Sequence, residues 1–168
     1  MKKYSQAEIK GLISCKKRVT EPPRKEMKAD RGSLRNDIQL ESLDGKMGFA
    51  VFMRINERFP ENFSIGLNFI PRDEPGSFCL LRYNGPHGEH VNALFGEEHP
   101  HFGYHIHNAK SELIEAGMLP EKYAEITETY ASYKEALFQF MKIINIQDAE
   151  QYFNNLGQGS LFERGDMQ

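Results

Sequence analysis

From Leu34 to Tyr83 the chain alternates apolar and polar residues with a period of two, and that pattern limits the fold more than any other feature of the sequence. Side chains on a strand point to opposite faces in turn, so such a run describes strands buried on one side only. Ile38 and Leu40 mark a first strand, and Asp44-Gly45 supplies a strong hairpin signal. Met47, Phe49, Val51, Met53 and Ile55 mark a second strand, which Phe59-Pro60-Glu61-Asn62 interrupts. Phe63, Ile65, Leu67 and Phe69 mark a third; after a turn over residues 71–76, Cys79, Leu81 and Tyr83 mark a fourth. Tyr104-His105-Ile106-His107 has the length and alternation of a fifth.

Closing the hairpins assigns the two faces. The first turn puts Ile38 opposite Val51 and Leu40 opposite Phe49. The second, closed around Pro60-Glu61-Asn62, puts Arg54 near Asn68 and Arg58 near Ser64. The third puts Arg82 beside Gly66 and Asn84 beside Ser64. One face collects the apolar set, with Cys79 and Leu81 in it, and is the expected core. The other collects Arg35, Asp37, Gln39, Arg54, Asn56, Arg58, Asn68, Arg82 and Asn84, relieved mainly by Phe52 and Leu80. Tyr104 and Ile106 then face the core, and His105 and His107 face the polar side.

Helices flank the strands. Ser5 and Glu8 form a capping box ahead of Ile9, Leu12 and Ile13, and Ser132 and Glu135 form a second ahead of Leu137, Phe140, Met141 and Ile144. Asn108 or Ser111 can cap a short helix that Gly117 stops, and Asp148 a last one that ends near Gly157. Residues 120–131 fit either a loop or a backward extension of the long helix. The expected fold is α+β: an antiparallel four- or five-stranded meander with N- and C-terminal helices packed on one face. The expected organisation is an N-terminal helix and basic linker (1–33), one α+β domain (34–157) and a loose tail (158–168). The segment 20–33 reads as the linker because it holds two prolines and seven charges with little apolar content.

Composition bounds the remainder. The chain has 168 residues, 39% of them hydrophobic, enough for one core without disulfides. No apolar run is long enough to span a bilayer, and no apolar stretch follows the N-terminal lysines as in a secretory signal. Two cysteines, Cys15 and Cys79, match no metal or redox spacing, so a cytoplasmic protein is expected. Residues 1–36 hold 11 Lys or Arg against 4 acids, whereas residues 37–168 hold 10 against 20. A basic arm on an acidic body suits nucleic-acid contact, docking onto an acidic surface including its own, or plain solvation.

All six histidines, His87, His90, His99, His101, His105 and His107, fall within residues 87–107. Gly85, Pro86, Gly88, Gly96 and Pro100 let the backbone bend around them. Imidazole titrates near neutrality and both donates and accepts protons. Three readings stay open. In the first, His87, His105 and His107 transfer protons, Asn84 orients, and Arg82, Arg54 and Arg58 bind phosphate. Metal-independent cleavage of RNA needs that set: a base for the ribose 2′-hydroxyl, an acid for the leaving oxygen, and cations for the added charge. In the second, His87, His90, His105 and His107 bind zinc or another divalent metal. In the third, the histidines hydrogen-bond a structured loop. Phosphate loops, dinucleotide fingerprints, Cys-x-x-Cys, Gly-x-Ser-x-Gly and His-Glu-x-x-His are absent.

The run Arg82-Tyr83-Asn84-x-Pro86-His87, followed by Pro100-His101 and then His105 and His107, resembles the TumE-like toxins of bacterial toxin–antitoxin modules. Those toxins carry an Arg-Tyr-Asp-Asn-x-Pro-His run and then a Pro-His-His-x-His run. Here the Asp is missing and the second run is spread from His99 to His107. The resemblance covers about residues 78–107 and implies a toxin acting on RNA or translation, with a cognate antitoxin as partner. The rival from another class is a non-enzymatic protein-interaction or nucleic-acid-binding factor of phage or mobile-element origin, working through its basic arm and open sheet face. A homodimer through an edge strand is compatible with both. Either way, the functional expectation is that the imidazoles and guanidinium groups converge on one exposed patch.

Overall fold

The computed structural model describes residues 3–88, 92 and 102–153, and the fold is α+β. One mostly antiparallel, open eight-stranded sheet holds β1 (Lys17–Glu21), β2 (Lys28–Asp30), β3 (Ser33–Ser42), β4 (Gly48–Asn56), β5 (Phe63–Ile70), β6 (Phe78–Asn84), β7 (His105–Asn108) and β8 (Ala124–Ile126). Four helices accompany it: α1 (Gln6–Ser14), α2 (Ser111–Glu115), α3 (Tyr133–Ile143) and α4 (Ala149–Tyr152), with a 3₁₀ turn at Pro120–Lys122. The strand order β1-β3-β4-β5-β6-β7-β8 is that of a meander, with β2 also paired on β3. The expected four or five strands understate the sheet. None of the described helices is long and apolar enough to cross a membrane.

The additional strands are short and carry charge. β1 and β2 pair antiparallel with β3, so the segment read as a linker belongs to the sheet. They lack the alternation because edge strands bury little: only Lys17 is buried among their eight residues. Arg31 and Gly32, both at positive φ, form the two-residue turn that joins β2 to β3, the backbone a tight hairpin requires. Asn36 anchors the crossing between β1 and β2 by bonding Arg24 through both its amide nitrogen and its amide oxygen. Part of the basic arm pairs with acids of its own chain. Arg18 pairs with Glu41 at 2.6 Å and Arg35 with Asp30 at 3.0 Å. Lys17 is buried, its ammonium donating to the carbonyls of Ile13, Cys15 and Ile144, which ties the ends of α1 and α3 to β1.

The first hairpin has the expected register, Ile38 opposite Val51 and Leu40 opposite Phe49. The second is tighter than expected. Asn56 Oδ1 accepts from the Arg58 and Phe59 amides, turning the chain at once, so Arg54 pairs with Ser64 and Asn68 with Ala50. The slip is even, so every side chain keeps its face. Arg58 does not reach Ser64; it sits exposed in the turn. Arg82 opposite Gly66 and Asn84 opposite Ser64 are as expected. Between those pairs and Phe78, β6 carries a bulge at Leu80, which breaks the alternation. Leu80 and Phe78 join the core, and Cys79 comes to lie opposite Asn68 on the second face, the reverse of the expected assignment.

The core joins the apolar face of the sheet to Ile9 and Leu12 of α1 and to Ala136, Phe140 and Met141 of α3. Ser5 and Glu8 form the full capping box, whereas Ser132 accepts from Glu135 N but the Glu135 carboxylate accepts from Ala131 N in place of the N-cap amide. The shorter helices differ. Lys110 occupies the N-cap of α2 and Asp148 that of α4, neither with a side-chain cap; the Asp148 carboxylate instead accepts from Val19 N. Residues 120–131 are neither a loop alone nor a helical extension, since they include the 3₁₀ turn and β8. The end expected near Gly157 and the expected tail 158–168 lie outside the described residues.

Candidate active site

Two rows of side chains cross the second face of the sheet. Register places Arg35, Arg54, Ser64, Asn84 and His105 side by side on successive strands, and Asp37, Phe52, Gly66, Arg82 and His107 in the next row. The alternation of β6 and β7 therefore brings four of the expected site residues together as neighbouring pairs, Asn84 with His105 and Arg82 with His107. Chain geometry adds a fifth. Gly85 leaves β6 where a side chain would collide with the Glu61 carbonyl, and His87 follows with its ring centroid 4.8 Å from that of His105. His105 and His107 lie 5.1 Å apart, centroid to centroid. His90, His99 and His101 lie outside the described residues.

These groups are not an exposed patch. His105 is 0% exposed, His107 1% and Asn84 1%, while His87 is half-buried and Arg82 partly so. The histidines do lie on the polar face, as their parity requires, but this end of that face is covered. Burial forces the polar atoms to find partners within the protein. His105 Nδ1 donates to Gly103 O at 2.9 Å, since a carbonyl can only accept. Its Nε2 then accepts from Asn84 Nδ2 at 3.2 Å, and Asn84 Oδ1 takes the Ser64 hydroxyl at 2.7 Å. This chain of bonds holds His105 as the neutral Nδ1–H tautomer. His107 Nδ1 likewise donates to Glu121 O at 2.7 Å, which leaves Nε2 as its basic nitrogen when neutral.

The core side supports the same strands. The Tyr130 hydroxyl lies 2.8 Å from His105 O and 3.2 Å from Asn84 O, binding the ends of β6 and β7 from below, and its ring stacks on Tyr83 at 5.1 Å. Asn92 bonds both the amide and the carbonyl of Ala124 on β8. Ser64, Asn92, Gly103, Glu121 and Tyr130 thus build the site, although sequence reading did not select them. Ser64 was within reach, because pairing Asn84 beside it was already implied by the hairpin.

Electrostatics separates the arginines. Arg54 donates to the carbonyls of Asn36 and Met53 and to Asp37 Oδ1 at 2.8 Å, so it is committed to its own strands and not to a phosphate. Arg58 lies outside the cluster. Arg82 forms no ion pair among the described residues, and its buried Nε makes no hydrogen bond. Burial, and then the charge of Arg82, pull the His87 pKa below the ordinary histidine value. His87 is therefore a neutral base at pH 7. Burial, and then Glu121, push the Cys79 thiol up to about 12, so Cys79 is an inert buried group and not a nucleophile.

Of the expected metal set, His87, His105 and His107 are described and His90 lies outside the described residues. Among the described residues no three His, Cys, Asp or Glu side chains are grouped to hold an ion. While His105 bonds Gly103 and Asn84 it has no lone pair to offer a metal. No family model matches the chain, and no curated protein and no solved structure is significantly similar to it.

Proposed function

We propose that the β6–β7 end of the sheet is a metal-independent phosphodiester-cleaving site acting on RNA, in a toxin-like protein that a cognate antitoxin would restrain. The supporting observation is that His87 and His107 both lie against His105, with Arg82 opposite His107 and in no ion pair among the described residues, and with Asn84 and His105 locked beside them. Neutral His87 takes the proton of the ribose 2′-hydroxyl, and the freed oxygen bonds to phosphorus. Arg82 hydrogen-bonds the non-bridging oxygens as negative charge builds on them. His107, in its imidazolium form with Nδ1–H anchored on Glu121 O, gives its proton to the leaving 5′-oxygen. The P–O5′ bond breaks, leaving a 2′,3′-cyclic phosphate and a free 5′-hydroxyl. His105 does not exchange protons here; through Asn84 and Ser64 it holds the cluster in place.

The test is incubation of the purified chain with RNA in the presence of a chelator, beside His87→Ala and Arg82→Lys variants. Cleavage to cyclic-phosphate ends that both variants lose is the expected result. Equal cleavage by all three, or none by the native chain, removes the nuclease reading. A second reading rests on the 0% exposure of His105 and its fully bonded ring: a non-enzymatic binding factor whose histidines are structural. It predicts that expression of the native chain and of His87→Ala has the same effect on growth.

A further inference from the structure

Two phenylalanines stand in solvent at the end of the sheet where the histidines gather. Phe59, in the turn 57–62, is 66% exposed, and Phe102, three residues ahead of His105, is 61% exposed. The topology places them at one end. β4 and β6 finish there at Asn56 and Asn84, and their antiparallel neighbours β5 and β7 begin there at Phe63 and His105. The turn that holds Phe59 rests on Gly85, two residues before His87, because the Glu61 carbonyl occupies the space a side chain at 85 would need. Gly103, next to Phe102, accepts from His105. Phe59 and Phe102 therefore lie at the end of the sheet that carries the site, their chain positions about two strand spacings or roughly 10 Å apart. Neither belongs to the core, although eleven other aromatic side chains do or pack against it. Arg58 stands exposed beside Phe59 in the same turn, with Glu57 and Glu61 as the acids there.

A ligand suited to this arrangement presents flat apolar faces on either side of an anion. Single-stranded nucleic acid does so, because its bases are free to stack on aromatic rings while its phosphates meet arginine. A duplex does not, since its bases are stacked on one another. We propose that Phe59 and Phe102 are base-stacking platforms that flank the scissile phosphate, with Arg58 contacting a neighbouring phosphate, and that the substrate is single-stranded RNA. This rests on the RNA-directed reading above and adds to it the strand state and the residues that select it.

The experiment measures binding apart from cleavage. A fluorescein-labelled 2′-O-methyl single-stranded RNA, which lacks the hydroxyl needed for cleavage, is titrated with the native chain and with Phe59→Ala, Phe102→Ala, Phe59→Trp and Phe102→Trp. Each alanine change should weaken binding roughly 5- to 150-fold, the loss of one stacked base, and each tryptophan should keep it. A duplex of the same sequence should bind less tightly than the single strand. Unchanged affinity in both alanine variants, with melting temperatures also unchanged, overturns the platforms while leaving the nuclease reading to its own test. Platform-dependent binding without cleavage of ordinary RNA supports the platforms and sinks the nuclease. If the native chain binds no oligonucleotide, both fall.

Discussion

Arg54 and Arg82 occupy the same face of the same sheet, two strands apart, and they have opposite fates. At the β3–β4 side, Arg54 is tied to two carbonyls and to Asp37, and both partners of that ion pair keep solvent contact, at 31% and 52% side-chain exposure. At the β6–β7 side, Arg82 is flanked by Gly66 and His107, with no carboxylate paired to it among the described residues. Phe52 marks the border. Its ring occupies the space above Gly66, and the Arg54 guanidinium lies 5.7 Å from its centroid. One half of the face satisfies itself. The other keeps a cation and three imidazoles in close company. A row of like residues in a strand thus says little about function until each one's partners are counted.

The comparison can be broken most directly by activity. His87→Ala should lower RNA cleavage by about 10²- to 10⁴-fold, the usual contribution of a positioned acid or base. Arg82→Ala should be similarly severe, while Arg54→Ala should leave turnover unchanged, all read as initial rates of cyclic-phosphate formation. Equal losses for the two arginines would show that the halves are not distinct.

Stability gives the next largest contrast. Asn84→Leu removes the bridge between Ser64 and His105 and strands their buried polar atoms, so it should cost about 1–3 kcal/mol in urea unfolding. Asp37→Asn, at the exposed ion pair, should cost less than about 1 kcal/mol. Tyr130→Phe tests the support from below: it loses the hydroxyl that holds Asn84 O and His105 O and should cost about 1 kcal/mol.

The smallest effect concerns pH. The His87 pKa is lowered in the folded chain, by burial first and by Arg82 second, so the unfolded chain binds its proton more readily. Stability is therefore unaffected by this group well above its ordinary value near 6.5 and falls as pH drops from there through the lowered folded value. His87→Ala should flatten that part of a melting-temperature profile. Arg82→Ala should flatten it less, because burial, the larger cause, remains. The acid limb of activity should likewise lie below the ordinary histidine range.

Much of the sheet was readable before the structure, and the reason is local. Alternation assigned the faces of β3, β4 and β5 because one face must be dry. Asp44-Gly45 closed the first hairpin because few other residue pairs tolerate that turn. The register of the second hairpin was four residues off, yet Arg54, Ser64 and Asn84 stayed on one face, because an even slip leaves parity intact. β1 and β2 were unreadable because edge strands bury too little to show a pattern. The Leu80 bulge was hidden because it depends on what Phe78 and Cys79 meet across the sheet.

Parity likewise implied that Asn84, Arg82, His105 and His107 would share a face, since strands β6 and β7 alternate and antiparallel neighbours must pair. Whether those side chains would be wet or dry, and which arginine would find a carboxylate, depended on residues far away in the chain: Glu121, Tyr130, and Asp37 against Arg54. Periodicity is a property of successive residues and survives in the sequence. Burial and charge pairing are properties of neighbours in space, which here only folding brought together.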